Sequence, residues 1–144
     1  MEQWDDSSDK VEKQHPDPEK ARGLLKVVEL RELKLSSFEL PAFATLLAEA
    51  YYEVVKELIT GILTLDGWKT TSHELLIGYL AKFCPEYSRA EIVLIDQLRR
   101  MRNDIAYRGI MIPPEFLDRN QKNILTIISR LKKTLNQRLL KSQT

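Results

Sequence analysis

The sequence predicts an all-α fold, an antiparallel helical bundle of about five helices, on three observations. Apolar residues recur at i, i+3 and i+4 over long stretches, no segment alternates with period two for more than a few residues, and Pro or Gly separates the apolar stretches. Connections of about 3 to 8 residues between long helices favour antiparallel neighbours. The interruptions at Gly67, Pro85 and Gly109 argue against one long coiled coil.

Each element follows from its own signals. Residues 1–16 contain Ser7, Ser8, Pro16 and many charges without a periodic apolar face, so the expectation is a flexible acidic tail over 1–16 ahead of a bundle domain over 17–144. Asp17-Pro18 opens the first helix, whose apolar positions are Leu24, Leu25, Val27, Val28, Leu30 and Leu33. Ser36 with Glu39 reads as a capping box for a second helix running to Leu65. That helix is apolar over most of its circumference, through Leu47, Val54, Leu58 and Ile62 and again through Val55, Ile59 and Leu63, which puts it in the middle of the bundle. Asp66-Gly67 ends it. Thr71 with Glu74 is a second box, for a short helix stopped by Cys84-Pro85, and Ser88 with Glu91 is a third, for a helix running to about Tyr107 and closed by Gly109. Pro113-Pro114-Glu115 opens the last helix, with Leu117, Ile124, Ile127, Ile128, Leu131, Leu135 and Leu139 on one face.

Composition narrows the class. A chain of 144 residues, 43% hydrophobic and 30% charged, has the balance of one ordinary globular domain. No apolar run approaches the roughly 18 residues that cross a bilayer, and the chain opens on Glu2, Asp5 and Asp6, so the expectation is a cytoplasmic protein without a membrane association. The single cysteine, Cys84, excludes an internal disulfide. With His15 and His73 far apart and lacking carboxylates at ligand spacing, neither a metal site nor a cofactor is expected.

Charge is unevenly placed. Residues 1–20 hold seven acids and three bases, a net of −4, which leaves +5 for the rest of a chain whose total is +1. The densest positive stretch lies between residues 99 and 108, where Arg99, Arg100, Arg102 and Arg108 face one acid, Asp104, for a local +3. At about 100° per residue, Leu94, Leu98, Met101 and Ile105 share one stripe of that helix while Asp96, Arg99, Arg100, Asn103 and Tyr107 share the other. Arg102 lies at the seam. Asn and Tyr have no propensity advantage on an exposed helix face, so their presence among the arginines points to a polar site that attracts an anion. Asp96 can pair with Arg99 at i+3 or Arg100 at i+4, either as an exposed ion pair worth only about 0.3–0.5 kcal/mol or, if the stripe is buried in a dimer cleft, as a pair that fixes those side chains for a ligand.

Arg102-Asn103 followed by Tyr107 resembles the Arg-polar-x3-His signature of the HEPN superfamily (higher eukaryotes and prokaryotes nucleotide-binding), small helical domains that include RNA-cleaving toxins. The resemblance extends over about residues 17–142, including Tyr51-Tyr52-Glu53-Val54-Val55-Lys56-Glu57-Leu58, Leu65-Asp66-Gly67-Trp68, Ser72-His73-Glu74-Leu75-Leu76 and Tyr79-Leu80. It implies a homodimer in which two motif helices line one basic cleft, and RNA cleavage without metal by attack of a ribose 2′-hydroxyl on the neighbouring phosphate. Arginine suits such a cleft because its planar fork of donors matches phosphate geometry and its charge persists at neutral pH. Here the position of the family's histidine is Tyr107, and a phenol keeps its proton where an imidazole exchanges one.

The resemblance therefore implies a HEPN-like dimer that binds a nucleotide or RNA phosphate, with weak or no catalysis. The candidate catalytic set is Arg102, Asn103 and Tyr107, and the candidate ligand-binding set is Asp96, Arg99, Arg100 and His73. The alternative is a metal-independent endoribonuclease toxin restrained by a nucleotidyltransferase antitoxin. A third reading is a structural dimer whose arginines meet carboxylates across the interface.

Overall fold

Five helices make up the body of the protein in the computed structural model, which describes residues 1–142: α1 (Pro18–Leu35), α2 (Ala44–Leu65), α3 (His73–Phe83), α4 (Arg89–Arg108) and α5 (Pro114–Lys141). This is the all-α bundle that the apolar periodicity predicts. The last two residues of the expected 17–144 domain lie outside the described residues.

Helix α2 is the axis of the bundle and packs against each of the other four helices. Val54, Leu58 and Ile62 on one side and Val55, Ile59 and Leu63 on the other are all fully buried or nearly so. A helix apolar on every side meets its burial requirement only when surrounded. Helix α5 closes the bundle with Leu117, Ile124, Leu131 and Leu135, and a methyl group at Gly61 would come within 2.9 Å of the Leu135 side chain. Between α1 and α2, Arg31 forms a forked contact with Glu57, its Nε standing 3.0 and 2.9 Å from the two carboxylate oxygens.

Several helix ends match the sequence signals. Asp17 accepts the Lys20 backbone N–H at 3.0 Å with Pro18 in the first turn. Ser88 and Glu91 complete a reciprocal capping box on α4, at 3.1 and 2.9 Å, and Gly109 closes that helix at φ +64°, a left-handed conformation that glycine adopts without penalty.

Two expected boxes form differently. Ser36 ends α1, and α2 starts only at Ala44, because Pro41 lacks an N–H and clashes with a preceding helical turn. In place of the Thr71–Glu74 box, Ser72 caps α3, its Oγ accepting the Leu75 N–H at 3.2 Å. That shift of one residue releases the Glu74 carboxylate from capping.

The expected flexible tail over 1–16 is instead packed on the bundle. Residues Val11–Lys13 form a short strand, β1, antiparallel to β2 (Trp68–Thr70), with Val11 opposite Thr70. Trp4 is only 5% exposed and lies edge-on to Trp68, Tyr79 and Phe83, with ring centroids 5.7, 4.8 and 6.5 Å away. A buried indole, a buried valine and the β1–β2 pairing hold a segment too polar to show periodicity. Two glycines make room for it. The chain passes so close that a Cβ at Gly67, where φ is +86°, would lie 2.8 Å from the Gln14 carbonyl oxygen, and one at Gly78 would lie 2.9 Å from that of Glu2.

Candidate functional site

A surface cleft of about 320 Å³ opens between the start of α3 and the C-terminal half of α4. Its walls are Thr71, Ser72, His73 and Glu74 on one side and Arg99, Arg102, Asn103 and Tyr107 on the other. Five of the seven sequence-predicted residues, Arg99, Arg102, Asn103, Tyr107 and His73, therefore meet in one place. The N-terminal end of α3, capped by Ser72, also lies at this wall, and the positive pole of the helix dipole there favours negative charge.

Arg102 stands at the seam of α4, partly buried, as the helical phase predicts. Its Nε is 3.7 Å from Glu53 of α2, and its Nη1 is 3.5 Å from the Asn103 amide oxygen. Both separations are at or beyond hydrogen-bond length, so the guanidinium donors are held loosely. Glu53 is more firmly engaged elsewhere, accepting from Lys56 Nζ at 2.7 Å.

Arg99 is held differently. Its Nε donates to Asp96 at 2.8 Å, and its Nη1 lies 3.8 Å from Glu74. Asp96 and Arg99 are only 7% and 9% exposed, so the stripe that looks uniformly polar in sequence is divided: Asp96 and Arg99 are buried, with Arg99 reaching the cleft wall, Arg100 is exposed on another groove, and Asn103 and Tyr107 line the cleft. The helical period assigns a face but not what covers it.

Two of the expected ligand residues lie elsewhere. Asp96 and Arg100 line a neighbouring groove with Met1, Gln3 and Gln97. Arg100 pairs with the second Asp96 oxygen at 2.9 Å and points away from Arg102, since residues two apart on a helix diverge by about 200°. Asp96 reaches the cleft only through Arg99.

His73 occupies the first position of α3, with its ring 5.9 Å from that of Tyr52. Burial, followed by the charges of Lys56 and Arg102, holds its imidazole below the usual histidine range, so it is neutral at pH 7. The same enclosure pushes the Tyr52 phenol up, burial being the main cause. Tyr107, at the rim, is 79% exposed.

Charge in the cleft is more balanced than the local +3 of the sequence suggests. Glu53 and Glu74, contributed by other helices, face Arg102 and Arg99, while Arg108 lies 3.5 Å from Asp104 on α4 itself. Sequence reasoning missed both glutamates as site residues because their proximity is created by helix packing. The displaced α3 cap is the one local signal that would have freed Glu74. Chemically, the arrangement offers loosely engaged guanidinium donors, a neutral imidazole, a phenol and a helix N-terminus to one small anionic group.

Among the described residues, no cluster of three or more His, Cys, Asp or Glu side chains could hold a metal ion, and no helix is long and apolar enough to cross a membrane. No family model matches the chain, and no curated protein or solved structure is significantly similar to it.

Proposed function

We propose that this chain is a HEPN-like module that binds a phosphate of RNA or of a nucleotide in the α3–α4 cleft, as a homodimer. One observation carries the reading: Arg102 enters the cleft with its nearest polar partners at 3.5 and 3.7 Å, so a phosphate oxygen can take its donors without breaking a short ion pair. Arg99, Asn103, Tyr107, His73 and the start of α3 surround the same space. Tyr107 at the rim of the cleft, with the exposed Ile110 and Met111 that follow it in the chain, offers the surface on which a second copy would bring its own Arg102 to the site.

Filter binding of an end-labelled single-stranded RNA to the full chain, in EDTA and across a salt series, tests this reading. Binding that weakens with salt and is lost at least tenfold in Arg102→Ala supports it. RNA and nucleotides that are not retained at low salt overturn it, as does a strictly monomeric particle for the homodimer.

His73 favours a second reading, the metal-independent endoribonuclease. A neutral imidazole beside Arg102 can accept the proton of a ribose 2′-hydroxyl. The 2′-oxygen then bonds to phosphorus, the bond from phosphorus to the 5′-oxygen breaks, and the leaving oxygen takes up a proton from water while His73 returns its own to solvent, giving a 2′,3′-cyclic phosphate and a 5′-hydroxyl. A nucleotidyltransferase antitoxin and a cytoplasmic setting belong to this reading. RNA retained uncut in EDTA rejects it and leaves the binding module.

A further inference from the structure

Glu74 bridges two parts of the molecule. Its Oε2 accepts the backbone N–H of Glu2 at 2.9 Å, and its Oε1 faces Arg99 Nη1 at 3.8 Å. The segment that it holds is fastened along its length. The Glu2 carboxylate takes Lys10 Nζ at 3.2 Å, Trp4 is buried against Tyr79 and Trp68, and β1 is paired with β2. At Gly78 the backbone of residues 2–4 lies directly on α3, where a Cβ would stand 2.9 Å from the Glu2 oxygen and 3.1 Å from the Trp4 nitrogen.

We propose that Glu74 is a positioning residue through which the seated N-terminal strap sets the anion affinity of the cleft, a form of regulation that rests on the phosphate-binding reading above. While Glu2 occupies one carboxylate oxygen, only the other faces Arg99, at a distance too long for a hydrogen bond. The Arg99 donors that Asp96 does not use stay available to a phosphate. When the strap leaves, Oε2 loses its donor and the carboxylate turns both oxygens onto Arg99, in the forked geometry that this pair favours. An incoming phosphate must then displace a bidentate counter-ion. The strap-seated form binds tightly and the strap-released form binds weakly.

A double-mutant cycle on the full chain tests the coupling, with an end-labelled single-stranded oligouridylate as probe. Trp4→Ala, which removes the anchor of the strap, is expected to weaken binding about three- to tenfold, while Trp4→Phe stays near wild type. Glu74→Gln, which removes the competing charge, is expected to tighten binding about twofold or more. In the Glu74→Gln background, Trp4→Ala is expected to change affinity by less than about twofold, because the group that would turn on Arg99 is no longer a carboxylate. An equal loss in both backgrounds, or no loss in either, overturns the inference. If Trp4→Ala does not fold, Gly78→Ala, which presses on the strap backbone, takes its place with the same expected signs. Probe bound with no coupling removes this inference alone, whereas probe not bound by the wild-type chain removes the phosphate-binding reading and this inference with it.

Discussion

Asp96 and Arg99 form an ion pair at 2.8 Å, one turn apart on α4 and both buried, while the other oxygen of Asp96 holds Arg100 at 2.9 Å. One carboxylate thus fixes two guanidinium groups that point to different grooves.

Removing that carboxylate leaves a buried guanidinium with only the distant Glu74 as counter-ion. Asp96→Asn is expected to lower stability by about 2–3 kcal/mol, read from urea denaturation midpoints at constant slope. Anion binding is expected to weaken as well, since Arg99 loses its short anchor. An unchanged midpoint would mean that Glu74 alone can satisfy Arg99.

His73 gives a pH signature of definite sign. Because burial and the neighbouring cations hold its folded-state pKa below the unfolded value of about 6.5, the unfolded chain binds a proton that the folded chain refuses. Its contribution is fully present above about pH 6.5 and is lost as pH falls from there toward the folded value. Urea midpoints measured from pH 7.5 to 5 are expected to fall less steeply in His73→Gln than in wild type. Affinity for phosphate is expected to move the opposite way, rising as the medium acidifies, because a bound anion favours the imidazolium. Parallel pH slopes for the two proteins would show that His73 is not shielded.

Tyr107 is exposed enough to be replaced without disturbing the core. Under the endoribonuclease reading, Tyr107→His adds a second proton-transfer group at the rim of the cleft, and RNA cleavage in EDTA is expected to rise about tenfold or more with the melting temperature unchanged. Background cleavage with RNA still bound would leave the chain as a binding module.

Gly67 combines a positive φ with the close passage of the Gln14 carbonyl. Gly67→Ala meets both backbone strain and steric overlap, and is expected to cost about 2 kcal/mol or more. Amide exchange should locate the damage: the N–H of Gln14, which donates to the Gly67 carbonyl at 2.9 Å, is expected to lose protection before those of α2.

Much of the bundle was legible because its signals are local. The apolar period of α2, the Ser88–Glu91 box and the Gly109 stop depend on residues within a few positions of one another, and each appears as expected. The strap was not legible, since Trp4 and Val11 are seven residues apart with charges between them and bury themselves against distant parts of the chain. At the candidate site, the residues that share the C-terminal half of α4 came from local signals, the helical phase, the density of arginines and the spacing of Arg102, Asn103 and Tyr107. Glu53 and Glu74 did not, because α2 and α3 carry them to the arginines only through packing. Pro41 misled for a related reason: the apparent box before it was complete in sequence, but an imino acid five residues on prevented the helix that the box would have started.

Both tryptophans of this chain, Trp4 and Trp68, sit on the seam between the N-terminal segment and the bundle, with ring centroids 5.7 Å apart. The protein's tryptophan emission therefore reports on that seam. A red shift preceding the loss of far-ultraviolet ellipticity would register the segment lifting away while the helices stay folded, a signal available without any attached dye.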